Sequence, residues 1–224
     1  MKSDPIDPQG RQTVTIGDIA LTIETPPDLD ALLDHAAAEH PQAVDAIPYY
    51  AILWPSAIGL ARYLWEIRGE LAGRPMIELG CGLGLPSILL ARLGFTVTAT
   101  DFHPDAAPWL RHNARLNQAA VTYRPLDWEA LLQTPALPEG DPALAPQRPA
   151  GVIGSDLLYE RRHIPALIHT IGRLCTSNTA IIADPGREAL DLFVMGMERV
   201  GWCHTLIPVD EIYVCRFDRP PQED

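Results

Sequence analysis

From residue 75 onward, short apolar runs alternate with longer stretches whose apolar positions recur every three or four residues. The runs at 76–79, 95–100, 120–124, 151–155 and 179–183 predict strands, and the periodic stretches near 86–92, 104–117, 161–173 and 187–200 predict helices. Strand, turn and helix repeated in this order build a parallel sheet with right-handed crossovers. The end of the chain departs from the pattern. Residues 202–208 and 211–217 read as two strands joined only by Val209-Asp210. A connection that short makes a hairpin, so the sheet gains an antiparallel edge strand.

The first part of the chain has a different rhythm. Residues 13–24 alternate β-branched and polar positions around Gly17-Asp18, which predicts a β-hairpin. Residues 28–39 predict a helix with Asp28 as N-cap and Pro41 just beyond its end. The aromatic-rich stretch P-Y-Y-A-I-L-W-P over 48–55 reads as extended, and 56–68 as a helix capped by Ser56. Residues 133–150 are rich in proline and alanine and read as a surface loop. The expected division is an extension, 1–55, packed on a core, 56–224, in one domain.

Composition narrows the class. With 224 residues, 47% of them hydrophobic, the chain can bury a sizeable core. No apolar run approaches the ~20 residues that span a bilayer, and residues 1–10 hold no apolar signal core. The expectation is a soluble, cytoplasmic protein with no membrane partner. The net charge of −12 argues against nucleic acid, whose partners carry basic faces. It suits a basic protein partner, although solubility alone explains it. Cys81, Cys175, Cys203 and Cys215 form neither C-x-x-C nor a zinc spacing, so reduced thiols and no metal are expected. Cys203 and Cys215 fall on neighbouring predicted strands, which leaves a disulfide there as an alternative.

The chemistry concentrates at residues 78–84, E-L-G-C-G-L-G, between a predicted strand and a predicted helix. Bare backbone at such a turn lets a ligand approach the N–H groups closely. Gly80, Gly82 and Gly84 are therefore candidate cofactor contacts, or simply a tight turn. The spacing is not the dinucleotide fingerprint, whose third glycine would fall at Leu85, and no phosphate-loop lysine follows. Asp101 ends the next strand, where a carboxylate can accept from both ribose hydroxyls or cap the following helix. Glu78 places a further carboxylate by the loop, which disfavours a polyphosphate and tolerates a cation. A nucleoside with a ribose, no pyrophosphate and a cationic end describes S-adenosylmethionine.

I-E-L-G-C-G-L-G followed by V-T-A-T-D resembles the first two motifs of class I methyltransferases. That resemblance implies a Rossmann-like α/β sheet of seven strands, mostly parallel, with S-adenosylmethionine as cofactor. L-W-P-S-A-I-G-L-A-R-Y-L, L-D-W-E at 126–129 and S-D-L-L-Y-E at 155–160 are similar to one group within that class, the seven-strand protein-lysine methyltransferases of methyltransferase family 16. A-D-P-G-R at 183–187 is similar to the branch acting on the β-subunit of electron transfer flavoprotein. The resemblance implies that Gly80, Gly82 and Gly84, with Cys81 between them, meet the cofactor, and that Asp101 binds its ribose. It implies that Asp127 and Trp128 flank the adenine, that Trp54 closes over the methionine end, and that Ser155 adds a contact. Asp156 and Tyr159 would stand at the transferring methyl.

Each has a plainer reading: Trp54 and Trp128 as core aromatics, Asp127 as a turn residue, Asp156 as a helix cap, Tyr159 as packing and Arg187 as a solvated charge. The chain lacks the N-P-P-Y or D-P-P-Y of enzymes that methylate bases or amides, which leaves an aliphatic amine as acceptor. The implied function is methyl transfer to a lysine of another protein. A small-molecule N- or O-methyltransferase is the alternative, with a cofactor-binding protein without turnover after it and a nicotinamide oxidoreductase last. The oligomeric state is left open.

Overall fold

The computed structural model describes residues 10–26, 28, 30–32, 34, 38, 48–133 and 150–220. The expected loop at 133–150 thus falls almost wholly outside the described residues. Of the expected helix 28–39, the described positions 30–32, 34 and 38 are helical. Asp28 Oδ1 accepts the Ala31 N–H at 2.8 Å, which is a capping bond.

Two strands, β1 (Arg11–Ile16) and β2 (Ile19–Glu24), form the N-terminal hairpin. After a short 3-10 turn, Tyr49–Ala51, come α1 (Pro55–Glu66) and α2 (Arg68–Leu71). The main alternation follows: β3 (Met76–Leu79), α3 (Leu85–Arg92), β4 (Val97–Asp101), α4 (Ala106–Leu116), β5 (Val121–Pro125) and α5 (Trp128–Gln133). It continues with β6 (Gly151–Ser155), α6 (Ile164–Leu174), β7 (Thr179–Asp184) and α7 (Glu188–Arg199), and closes with β8 (Cys203–Val209) and β9 (Ile212–Asp218). The seven-stranded sheet has the order β5-β4-β3-β6-β7-β9-β8. Strands β5 to β7 pair in parallel, and the terminal hairpin supplies the antiparallel edge, with β9 against β7 and β8 outermost. This is a Rossmann-like mixed α/β architecture.

Strand periodicity of two explains the layers. Ile77, Leu79, Val152, Ala180 and Ile182 pack on one face with Leu167, Ile171, Phe193 and Met197 of α6 and α7. Met76, Val97, Ile153, Ile181 and Ala183 pack on the other with Leu60 and Leu64 of α1 and Leu90 of α3. Both faces are covered, which is why β6 and β7 are apolar without alternation and β3 is buried along its whole length, Glu78 included. The chain moves outward from β3 to β4 and β5, then returns to place β6 on the other side of β3. That reversal leaves a crevice at the carboxyl ends of β3, β4 and β6, where ligands bind in such sheets.

The hairpin docks over α3 and α4. Ile16, Leu21 and Ile23 pack with Leu85, Ile88 and Leu89. The inner edge of β2 is satisfied by side chains instead of a third strand. Asn113 Oδ1 accepts the Glu24 N–H at 2.9 Å, and Asn117 Oδ1 accepts the Thr22 N–H at 2.8 Å. Asn113 Nδ2 also donates to Leu83 O at 3.3 Å, tying the hairpin to the glycine turn.

Three local expectations are corrected. Residues 48–55 are not continuously extended: Trp54 Nε1 donates to Tyr49 O at 3.1 Å and Ile52 N–H to the same oxygen at 3.3 Å, which closes a turn. Ser56 does not cap α1. The helix begins one residue earlier at Pro55, which has no N–H to satisfy, and Ser56 Oγ is buried without a partner. A helix at 128–133 appears where none is expected, because Asp127 Oδ1 accepts the N–H groups of Glu129 and Ala130 at 2.9 and 3.1 Å. Cys203 and Cys215 are out of register, facing Asp218 and Leu206 respectively, and both are free thiols.

Candidate active site

The glycine turn leaves β3 with its first N–H donors already placed. Cys81 N–H donates to Thr100 O at 2.9 Å and Gly84 N–H to Cys81 O at 2.8 Å. All three of its glycines have positive φ and a neighbour within reach of a Cβ, as two of them illustrate. Gly82 has φ +49°, and a Cβ there would lie 3.3 Å from the Tyr50 carbonyl oxygen. Gly84 has φ +84°, and its Cβ would lie 2.1 Å from Leu110 Cδ1. A side chain at either position meets both strain and a neighbour.

Asp101, at the tip of β4, holds this turn in place. Its Oδ2 accepts the Gly82 N–H and its Oδ1 the His103 N–H, both at 2.9 Å. Burial pushes its carboxyl above the usual range, and these N–H groups pull the other way. Each carboxylate oxygen has a further lone pair for a ligand hydroxyl. Tyr50 stacks on His103 beside it, with ring centroids 4.5 Å apart. Burial, then the charges of Asp105 and Asp101, push the Tyr50 hydroxyl up to about 12.

Glu78 takes a different place from the one the sequence suggested. It is buried beneath the turn, not in the crevice. Its Oε2 accepts the Ser87 N–H at 3.1 Å and the Ser87 hydroxyl, so it satisfies the first turn of α3 from the preceding strand. Its Oε1 has no partner, and burial raises the carboxyl to about 8. The folded state therefore binds this proton more tightly than the unfolded chain does. The stabilisation is full below the unfolded value of about 4.5 and is lost as pH rises through about 8. Glu78→Gln should remove that component. Chemical denaturation from pH 5 to 8.5 should show wild-type stability falling relative to the variant, by at most about 1.4 kcal/mol per pH unit. Parallel pH profiles would show that Glu78 is ionised in the fold.

Aromatic side chains form one wall. Tyr49 lies 6.2 Å from Trp54 and 5.2 Å from Tyr159, ring centre to ring centre. Tyr159 is 5.9 Å from His163, which meets Trp128 edge-on at 6.4 Å. His163 Nδ1 pairs with Glu129 Oε1 at 3.0 Å. Opposite the glycine turn, β6 ends in Ser155 and Asp156. Asp156 has φ +60°, in the left-handed region, while its N–H still bonds Ala183 O at 2.9 Å. An acid held this way at a strand end is a strained, positioned group. Arg187 Nη2 donates to Asp156 Oδ1, and Arg187 Nη1 to Asp184 Oδ2 at 2.9 Å. Burial works against the Arg187 charge, but the two carboxylates outweigh it and raise its pKa. Arg187 is thus an ion-paired part of the wall rather than a solvated charge.

These groups enclose a cavity of about 370 Å³. That is within the range of small-ligand sites. Of the site residues singled out from the sequence, Glu78 alone does not line it. Trp54, Gly80, Cys81, Gly82, Gly84, Asp101, Asp127, Trp128, Ser155, Asp156 and Tyr159 all do. Of the plainer readings, that of Asp127 holds, since it caps α5, whereas Asp156 caps no described helix and pairs with Arg187 instead. Burial lifts the Cys81 thiol well above its ordinary value, so it fills space as a neutral group. The sequence missed Tyr49, Tyr50, His103, Glu129 and His163. The aromatic run at 49–54 was a signal for the first two. Glu129 closes the L-D-W-E motif at 126–129, while His103 and His163 had no signal, because only the fold brings them in.

The lining fits a cationic nucleoside. The glycine turn offers close approach, Asp101 a diol acceptor and Trp128 an aromatic face. Arg187, the one guanidinium among the described lining residues, is already matched by two acids, so nothing there invites a polyphosphate. No described helix is long and apolar enough to cross a membrane.

A family model described as lysine methyltransferase matches residues 48–189. The chain is similar to protein N-lysine methyltransferase METTL21A of Danio rerio, 33% identical over 137 residues, 59% of this chain and 58% of that protein. It is also similar to histone-arginine methyltransferase METTL23 of Homo sapiens, 30% identical over 137 residues, 58% of this chain and 65% of that one. The chain spans about 58% of the length of the METTL21A relative. Among solved structures, the Thermus thermophilus 16S rRNA N2 G1207 methyltransferase, in complex with AdoMet and guanosine, superposes with a TM-score of 0.60 at 15% identity. That match covers 93% of this chain and 50% of that one. At such identity the likeness shows the fold.

Proposed function

The chain belongs to the lysine methyltransferase family, and from that premise we propose that it transfers a methyl group to a lysine side chain of another protein, with S-adenosylmethionine as donor. The observation that carries the reading is the convergence of the glycine turn, Asp101, Trp128 and the Asp156–Tyr159 strand end on one cavity. When bound, the donor supplies a methyl group already activated on a sulfonium.

The protein's part is therefore positioning and electrostatics. Asp101 and the glycine turn would hold the ribose, Trp128 and Asp127 would flank the adenine, and Trp54 would lie toward the methionine end. The acceptor amine must shed a proton first, since its reference pKa is about 10.4. The amine enters as an ammonium, and transfer into a partly dry site lowers its pKa toward loss of that proton. Asp156, held by Arg187, orients that amine, and Tyr159 flanks its approach. The net charge of −12 suits a basic segment around the target lysine. A cytoplasmic setting is part of the reading, and four free cysteines, one of them exposed, suit a reducing compartment.

A second acceptor, a protein arginine, is favoured by the relatives named histone-arginine methyltransferases. The test is to incubate the purified protein with methyl-labelled donor and a lysate of its source organism lacking this gene. Label should move to a discrete protein band. Label confined to the small-molecule fraction would replace this reading with a small-molecule methyltransferase.

A further inference from the structure

Arg187 lines the cavity at its Asp156 end. Its guanidinium bridges the tips of two neighbouring strands, reaching Asp156 at the end of β6 and Asp184 at the end of β7. Asp184 is fully buried, and its Oδ1 accepts the N–H groups of Gly186 and Arg187, each at 2.8 Å. The turn that aims the arginine is fixed as well. Gly186 has φ +91°, and a Cβ there would lie 2.8 Å from the Tyr213 ring. The whole D-P-G-R segment is built to present one guanidinium to two acids.

A guanidinium meets carboxylates through a planar fork, whereas an ammonium acts as a compact point charge. Here the fork is already filled by the chain's own arginine. An incoming guanidinium would have to displace Arg187 and give up pairings with Asp156 and Asp184 that the chain has already fixed. An ammonium needs no fork. Two carboxylates against one guanidinium leave one negative charge, enough to receive one point cation. We infer that Arg187 makes this site selective for an alkylammonium acceptor over a guanidinium acceptor, by filling the fork that Asp156 and Asp184 offer. The inference rests on reading the Asp156 end of the cavity as the acceptor end.

The test is an NMR titration of protein saturated with S-adenosylhomocysteine, following the Trp54 and Trp128 indole N–H signals. The probes are n-butylammonium and n-butylguanidinium. Wild type should bind the ammonium about tenfold more tightly. Arg187→Met should bring the two affinities within about twofold or reverse them. Arg187→Lys keeps a cation that cannot span both acids and should give an intermediate ratio; it also serves if the methionine variant fails to fold. No preference in wild type, or the same preference in every folded variant, overturns the inference. Methyl transfer is read separately on the same preparations. A preference that Arg187→Met abolishes, in a protein that transfers no methyl group, upholds the selectivity and sinks the functional reading. Transfer to lysine without any ammonium preference does the reverse.

Discussion

Replacing Asp156 by asparagine should lower the rate of methyl transfer by about 10²- to 10³-fold while changing the affinity for S-adenosylhomocysteine by no more than about twofold. Asparagine is the informative choice. Asp156 sits at φ +60°, a region that asparagine tolerates but alanine enters at a cost of roughly 1–2 kcal/mol. The substitution keeps size and backbone, removes the charge, and reduces the Arg187 Nη2 pairing at Oδ1 to a hydrogen bond on a neutral acceptor. If the carboxylate orients the amine, the defect lies in turnover. Labelled transfer under saturating donor, with calorimetry for affinity, separates the two effects. Unchanged turnover would remove Asp156 from the chemistry and leave its strained backbone as a feature of the β6 turn.

Asp101→Ala should act on the other side of the cavity. The carboxylate fixes the Gly82 and His103 N–H groups and offers its remaining lone pairs to the ribose hydroxyls. Losing charged hydrogen bonds costs about 1.5–3 kcal/mol, or roughly 10- to 100-fold in donor affinity. Asp101→Asn, which can still accept one N–H but carries no charge, should fall between wild type and alanine. Isothermal titration with S-adenosylhomocysteine reads this directly. Equal affinities across the three proteins would mean that the tip of β4 serves the loop alone and the ribose lies elsewhere.

Much of this site could be read along the chain because strand-end chemistry is local. The glycine turn, Asp101, and Asp156 with Tyr159 each follow a strand within a few residues. The two-sided burial of β6 and β7 shows as the apolar runs G-V-I-G and A-I-I-A. What was not legible depends on through-space partners. Glu78 reads as a charge near the loop, but an even-numbered place on β3 turns it under α3, where Ser87 takes it. Ser56 loses its capping role to Pro55 because a residue without an N–H starts the helix more cheaply. The turn at 49–51 is closed by the Trp54 indole, a bond with no sequence signature. His163 and Glu129 stand 34 positions apart and meet only when α5 packs on α6. Arg187, read as a solvated charge, proves to be held by one acid from its own turn and another 31 positions away.

Acid hydrolysis of the protein band labelled from methyl-labelled S-adenosylmethionine, followed by amino-acid analysis, identifies the acceptor atom. If the cavity methylates the amine of a protein lysine, the label elutes as Nε-methylated lysine and the band is lost with Asp156→Asn. Label eluting as methylated arginine, or a band that Asp156→Asn leaves intact, would contradict it.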